Sequence, residues 1–236
     1  MIVLRNHGVT APAGFKASSA GGSVALLLNE GPDLSAAGVF TGEHPSASML
    51  WTRQVLSAGR LRAVLLHAGS PGSTLSDDFA VTHHAAEHLA ETLSGWGTAT
   101  GAGEVAVCTT GGSAPTALLD VVAEAVHELA GGLSGGLDAA RTVAGPRSGC
   151  TQAAVVHEDG WTVGAMAAAV DTVCVLSTDA VADAAMLLGA LNSAESESAT
   201  MLLLASGASE VRCSPVDLED AVSTLLADLY AQGKSV

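Results

Sequence analysis

The chain has 236 residues, 48% of them hydrophobic and 14% charged, which is apolar material for one large core or two small ones. A net charge of −15, from 24 acids against 9 bases that form no cluster, argues against a nucleic-acid partner. Mean hydropathy is +0.41, yet the longest uncharged apolar runs, TVGAMAAAV and TMLLLASGA, stop short of a bilayer span, and MIVLRNHGVTAPAGF shows no secretory signal. The expectation is a soluble, cytoplasmic chain with no membrane partner.

Strand-length apolar runs alternate with helical patterns along the whole length. Strands are predicted at 23–29, 36–41, 62–68, 104–110, 153–158, 161–168, 172–177 and 200–206. Helices are predicted at 75–93, 115–130, 182–191 and 215–232. In the last helix Ser214 caps the N-terminus, Pro215 fits the first turn, and Asp217 completes a capping box. Residues 131–149, GGLSGGLDAARTVAGPRSG, read as a flexible connection with one short helix. Asp159 and Gly160 between two strand-like runs signal a tight hairpin. Strands that occur singly, in pairs and between helices do not suit a doubly wound sheet; helices packed outside two layers of strand do.

Five features bear on chemistry. VAVCTTGGSAPTALL, 105–119, runs from a strand through Thr110, Gly111 and Ser113 into a helix. Its backbone N–H groups could hold an oxyanion, or Ser113 could simply cap the helix. No Walker lysine or GxGxxG is present, so no cofactor is expected. His83, His84 and His88, with Glu87 and Glu91, read as a solvated helix face, since a metal site needs a further ligand that the pattern does not place. Glu195 and Glu197 in LNSAESESAT read as a loop entering a strand. Cys108, Cys150, Cys174 and Cys213 form no CxxC pair and read as reduced, buried thiols; no metal is expected. Asp171 and Thr172 stand where AAAVDTVCVLSTDA enters a strand. A threonine becomes a nucleophile when cleavage before it frees its own α-amine as base, but β-branched residues also begin strands routinely.

The blocks GVTAPAGFKAS (8–18), LNEGPDLSAAGVFT (28–41), LRAVLLHAG (61–69), VCTTG (107–111), EDGWTVGAM (158–166), LSTDA (176–180) and TMLLLASGASEV (200–211) resemble, in this order, the bifunctional ornithine acetyltransferase/N-acetylglutamate synthase (ArgJ-type) family of arginine biosynthesis. The resemblance implies one α+β domain over 1–236, an N-terminal-nucleophile-like α-β-β-α sandwich, without the family's C-terminal domain. It implies self-cleavage before a threonine and ping-pong transfer of acetyl from N-acetylornithine to glutamate. Thr110 and Gly111 match the family's oxyanion pair, and Thr172 is the nucleophile candidate, although an ungapped match to LSTDA puts Asp171 at that position. The family's loop lysine has no counterpart, since the chain's only lysines are Lys16 and Lys234, and the loop before Asp171 is shorter. SAESESA replaces the family's Ser-Thr-Asn-Asp run, SPGSTLS its asparagine-rich loop, and Gln232 stands near its acid.

The implied function is a divergent ornithine acetyltransferase-like pseudoenzyme, impaired in transfer. It would act by binding an amino-acid or acyl-amino-acid ligand, or a homologue. The alternative is an active acetyltransferase or amidohydrolase with Thr172 as a rearranged nucleophile. A third reading is an assembly role as a homo-oligomer, through surface that the family's further domain covers.

Overall fold

The computed structural model describes residues 1–41, 45–68, 75–110, 118–131, 133–144, 151–167, 173–194 and 198–233. In chain order these form β1 (Ile2–Leu4), β2 (Phe15–Ala20), β3 (Val24–Asn29), β4 (Ala36–Phe40), α1 (Ala47–Leu56), β5 (Ala63–Ala68), α2 (Leu75–Gly95), a 3-10 turn (Ala102–Glu104) and β6 (Val105–Thr110). There follow α3 (Leu118–His127), β7 (Ala130–Gly131), α4 (Leu133–Ala144), β8 (Thr151–Val156), β9 (Thr162–Ala167), β10 (Val173–Thr178), α5 (Ala184–Ser193), β11 (Thr200–Ala205) and α6 (Pro215–Gly233).

The strands divide into a six-stranded sheet, β1-β8-β9-β10-β11-β4, and a five-stranded sheet, β6-β5-β3-β2-β7. Both are mixed: β10 runs parallel to β11, and β5 parallel to β6, while their other neighbours are antiparallel. Side chains in the six-stranded sheet alternate between two cores, as a period of two requires. Cys174, Leu176, Met201 and Leu203 pack with Leu187, Leu218 and Leu225 of α5 and α6. Val173, Val175, Leu202 and Leu204 turn the other way and share a core with β3, β5 and β6. α2 and α3 contact the five-stranded sheet, which completes the helix-sheet-sheet-helix order.

Two helices fall outside that order. α4 touches strands of both sheets, and α1 spans the edge strands β6 and β4. Within the 131–149 segment the described residues are Gly131 of β7 and the twelve-residue α4, which is longer than the short helix expected there. Glycines at 135 and 136 weaken the helical signal in sequence, but Gly136 is buried where an added Cβ would meet the Thr10 hydroxyl at 3.0 Å. β1, β2 and α1 carry no sequence signal strong enough to be predicted. The hairpin at Asp159 and Gly160 forms, with Gly160 at φ +92° and His157 N–H donating to Trp161 O at 2.8 Å. The α6 cap also forms: Ser214 Oγ accepts from Asp217 N at 3.1 Å and donates to the Asp217 carboxylate at 2.6 Å.

One glycine fixes how the N-terminal segment crosses the six-stranded sheet. Residues 8–12 lie so close over β9 that a Cβ on Gly164 would collide with the Gly8 carbonyl. Asp179, just past β10, ties down the same segment by accepting from Ala13 N at 3.0 Å and Thr162 N at 2.7 Å. Burial raises the Asp179 pKa, and those backbone donors oppose the rise.

Candidate functional site: a cleft between the two sheets

The C-terminal end of β6 and the N-terminal end of β10 open on one cleft of about 200 Å³. Thr110 closes β6 opposite Ala68, and Val173 opens β10 opposite Thr200, which in turn pairs with Phe40. Thr109, Val173, Thr200 and Phe40 all line the cleft, and α1 closes it with Ser46, Ser48, Met49 and Thr52. No described lining residue carries a formal charge at neutral pH, so the chamber offers hydroxyls and apolar surface.

α1 holds the cleft wall in register. β6 is an edge strand, and a bare edge leaves backbone groups unpaired. Three side chains on one face of α1 meet it at alternate residues. Trp51 Nε1 donates to Val105 O at 2.9 Å, Thr52 Oγ1 donates to Val107 O at 2.7 Å, and Ser48 Oγ lies 2.8 Å from Thr109 Oγ1. Thr52 Oγ1 also accepts from Val107 N at 3.1 Å, so one hydroxyl serves both backbone groups of that residue. Positions 48, 51 and 52 follow the i, i+3, i+4 helical spacing, which matches the two-residue period of the strand. Ser46 caps α1 by accepting from Met49 N at 3.2 Å.

Cys108 also borders the cleft. Burial pushes its thiol up to about 12, with Thr52 pulling weakly the other way, so it stays protonated at neutral pH and is no competing nucleophile. Cys174, pushed to about 12 by burial, packs against α5 and α6 instead.

Of the residues singled out in sequence, Thr110 is described as the last residue of β6. Gly111, Ser113, Asp171, Thr172, Glu195 and Glu197 lie outside the described residues, and so does Cys150. Their chain neighbours Thr110 and Val173 stand at the cleft end of their strands. His83 packs against Trp51 with the rings tilted at 43° and their centres 4.9 Å apart, and His83 and His84 approach Glu87 at 3.5 and 3.3 Å. Among the described residues no group of three or more His, Cys, Asp or Glu side chains is placed to hold a metal ion. The cleft hydroxyls of α1 were missed. Their signal was PSASMLWTRQ, a capped start followed by Ser48 and Thr52 four apart, and it was too short to stand out.

Two facing sheets clad in helices, with a cleft between the ends of β6 and β10, have the N-terminal-nucleophile hydrolase fold. The L-aminopeptidase D-Ala-esterase/amidase of Ochrobactrum anthropi, a variant of that fold, superposes with a TM-score of 0.59 over 98% of this chain and 87% of its own, at 12% identity. No family model matches the chain. The Arginine biosynthesis bifunctional protein ArgJ of Mycobacterium tuberculosis is 43% identical over 98% of this chain and 66% of its own length. That of Streptomyces avermitilis is 37% identical over 95% of this chain. A crystal structure of the M. tuberculosis ornithine acetyltransferase complexed with ornithine matches with a TM-score of 0.66 and 46% identity, covering 70% of this chain and 93% of that one. The chain belongs to the ornithine acetyltransferase (ArgJ) family, and it spans about two thirds of the length of the curated relatives it matches. Among the described residues no helix is long and apolar enough to cross a membrane.

Proposed function

We propose that the chain is an ArgJ-type domain impaired in acetyl transfer, which binds an amino acid or acyl-amino acid in the cleft between the sheets. The sequence leading into β10 carries this reading. Val173 and Val175 face the space between the sheets, whereas Cys174 and Leu176 face α5 and α6. An ungapped match back from LSTDA (176–180) puts position 171, not 172, at the place of the family's nucleophile. Position 171 holds aspartate, not a hydroxyl residue.

The basic residues support the same reading. Lys16 is in β2, opposite Leu28, near the end of the five-stranded sheet away from Thr110, and it pairs with Glu30 at 2.9 Å. The only other lysine, Lys234, lies beyond β11 and α6 in sequence, so the loop that carries a lysine in the family has none here. The match to M. tuberculosis ArgJ also runs over 265 positions against a chain of 236, so at least 29 positions of the relative (265 less 236) have no counterpart. The loop before Asp171 is one segment in which the sequence is shorter than the family's. Loss of a nucleophile or an oxyanion donor singly costs orders of magnitude in rate.

Binding is the function that the remaining parts suit. The hydroxyls of Ser48, Thr109 and Thr200 can meet an amide or acyl group, and Phe40 and Met49 can cover its methyl end. The related M. tuberculosis structure holds ornithine, an amino acid. The test is incubation with N-acetylornithine and glutamate, alongside calorimetric titration of N-acetylornithine. Saturable binding without formation of N-acetylglutamate is expected; turnover would overturn the reading. A catalytic alternative, with Thr172 as nucleophile and Thr110 and Gly111 as oxyanion donors, draws support from Val173, which follows Thr172 directly and lines the cleft.

A further inference from the structure

A second cavity, of about 390 Å³, lies at the other end of the sandwich. Its wall includes Asp33, Ser35, Gly59, Arg60 and Arg62, from the loops that lead into β4 and β5. Arg62 precedes Ala63, whereas the cleft lining starts at Val107, which pairs with Leu65, so the two sites are separated by roughly 10 Å along β5 at 3.3 Å per residue.

The charges in this cavity are arranged unusually. The protein has 24 acidic side chains for 9 basic ones, yet two of the nine meet here. Asp33 shares the wall with them, but no ion pair joins it to either arginine. Its Oδ1 accepts from Ser35 N at 3.0 Å and Ser35 Oγ at 2.9 Å, and its Oδ2 has no described donor. Arg60 is held on the outer side by Glu104 at 2.9 Å. Arg62 Nη1 donates to Asn29 O at 2.8 Å; its Nε is buried without an acceptor, and Nη2 has no described acceptor. With Nε buried and Nη1 on Asn29 O, Nη2 is the guanidinium nitrogen left over, and it can donate to a carboxylate oxygen.

The frame is rigid on both sides. Asn29 Nδ2 donates to Asp33 O at 3.1 Å, and Asp33 N donates to Ser206 O at 2.9 Å. Arg62 N donates to Glu104 O at 2.8 Å, and Ser35 and Arg60 form an isolated antiparallel bridge. A free guanidinium and a free carboxylate on one flexible surface would close on each other. Held apart on one wall, they leave a gap that a ligand bearing both charges can span.

We propose that this cavity is a second site, separate from the cleft, for the zwitterionic main chain of a free α-amino acid: its carboxylate on Arg62, with Arg60 beside it, and its ammonium on Asp33 Oδ2. The reading does not depend on whether the cleft binds or catalyses.

The test is a calorimetric screen of the full chain with the standard L-amino acids, followed by the N-acetyl and carboxamide derivatives of the tightest binder. At least one free amino acid should bind saturably, and each derivative, which lacks one charge, should bind about tenfold more weakly or worse. Asp33→Asn keeps an oxygen for Ser35 and should weaken the free amino acid by a similar factor. No saturable binder, an N-acetyl derivative that binds as tightly as its parent, or binding unchanged in Asp33→Asn would each overturn the proposal. Should that variant fail to fold, the derivative series on the natural chain decides.

Discussion

Thr52 shows how much one hydroxyl can hold. It sits in α1, yet its partner is Val107, 55 positions later, where it serves both a buried N–H and a buried C=O. Replacement by valine keeps the shape and strands both groups, and buried backbone groups left unpaired cost about 1–3 kcal/mol each. Thr52→Val should therefore lower unfolding stability by about 2 kcal/mol or more, read from the denaturant midpoint; an unchanged midpoint would show that β6 does not depend on this contact. This residue was not legible in the sequence. Nothing near position 52 says which strand edge the helix will seal, whereas the strand-to-glycine pattern VCTTG made Thr110 and Gly111 stand out locally.

Elements differed in legibility for a physical reason. α6 was readable because its start signal is local: Ser214, Pro215 and Asp217 satisfy the first turn on their own. α4 is longer than its sequence suggests because its glycines serve tertiary approach, at Gly136 against Thr10, at the cost of local helical preference. The edge strand β1 was invisible because its residues Ile2 and Val3 are exposed and its alternation covers only three positions. What fastens the N-terminal stretch is the next residue, Arg5, whose guanidinium donates to Asp228 of α6 at 2.7 Å, while Gln232 donates to the same carboxylate at 2.6 Å. The hydrogen bond from Arg5 does most to hold the Asp228 pKa below the ordinary carboxylate value, against a rise from burial, with Gln232 and the Arg5 charge adding to the lowering. A lowered acid contributes stability that is complete above the unfolded-state value and is lost as pH falls through the folded one. Asp228→Asn should flatten the acid limb of the stability profile and leave stability at neutral pH slightly reduced; an acid limb identical to that of the natural chain would contradict this assignment.

At the scale of the whole molecule, the layered architecture was largely readable, because strand-length runs such as SVALLLN and TMLLLAS are buried on both faces and so are apolar throughout. Which sheet each strand joins was not readable. β3 and β4 are neighbours in sequence but enter opposite sheets, β4 pairing with β11 from the far end of the chain. That exchange creates the cleft, since it brings Phe40 and Thr200 beneath α1 beside the end of β6. The scaffold of an acetyl-transferring family is thus present around a chamber whose described walls are neutral. On the proposed reading, the chain does not generate the N-terminal threonine that such chemistry requires. Mass spectrometry of the purified protein under denaturing conditions tests this directly. One intact species near 23.3 kDa is predicted; two fragments that meet between Asp171 and Thr172 would contradict it.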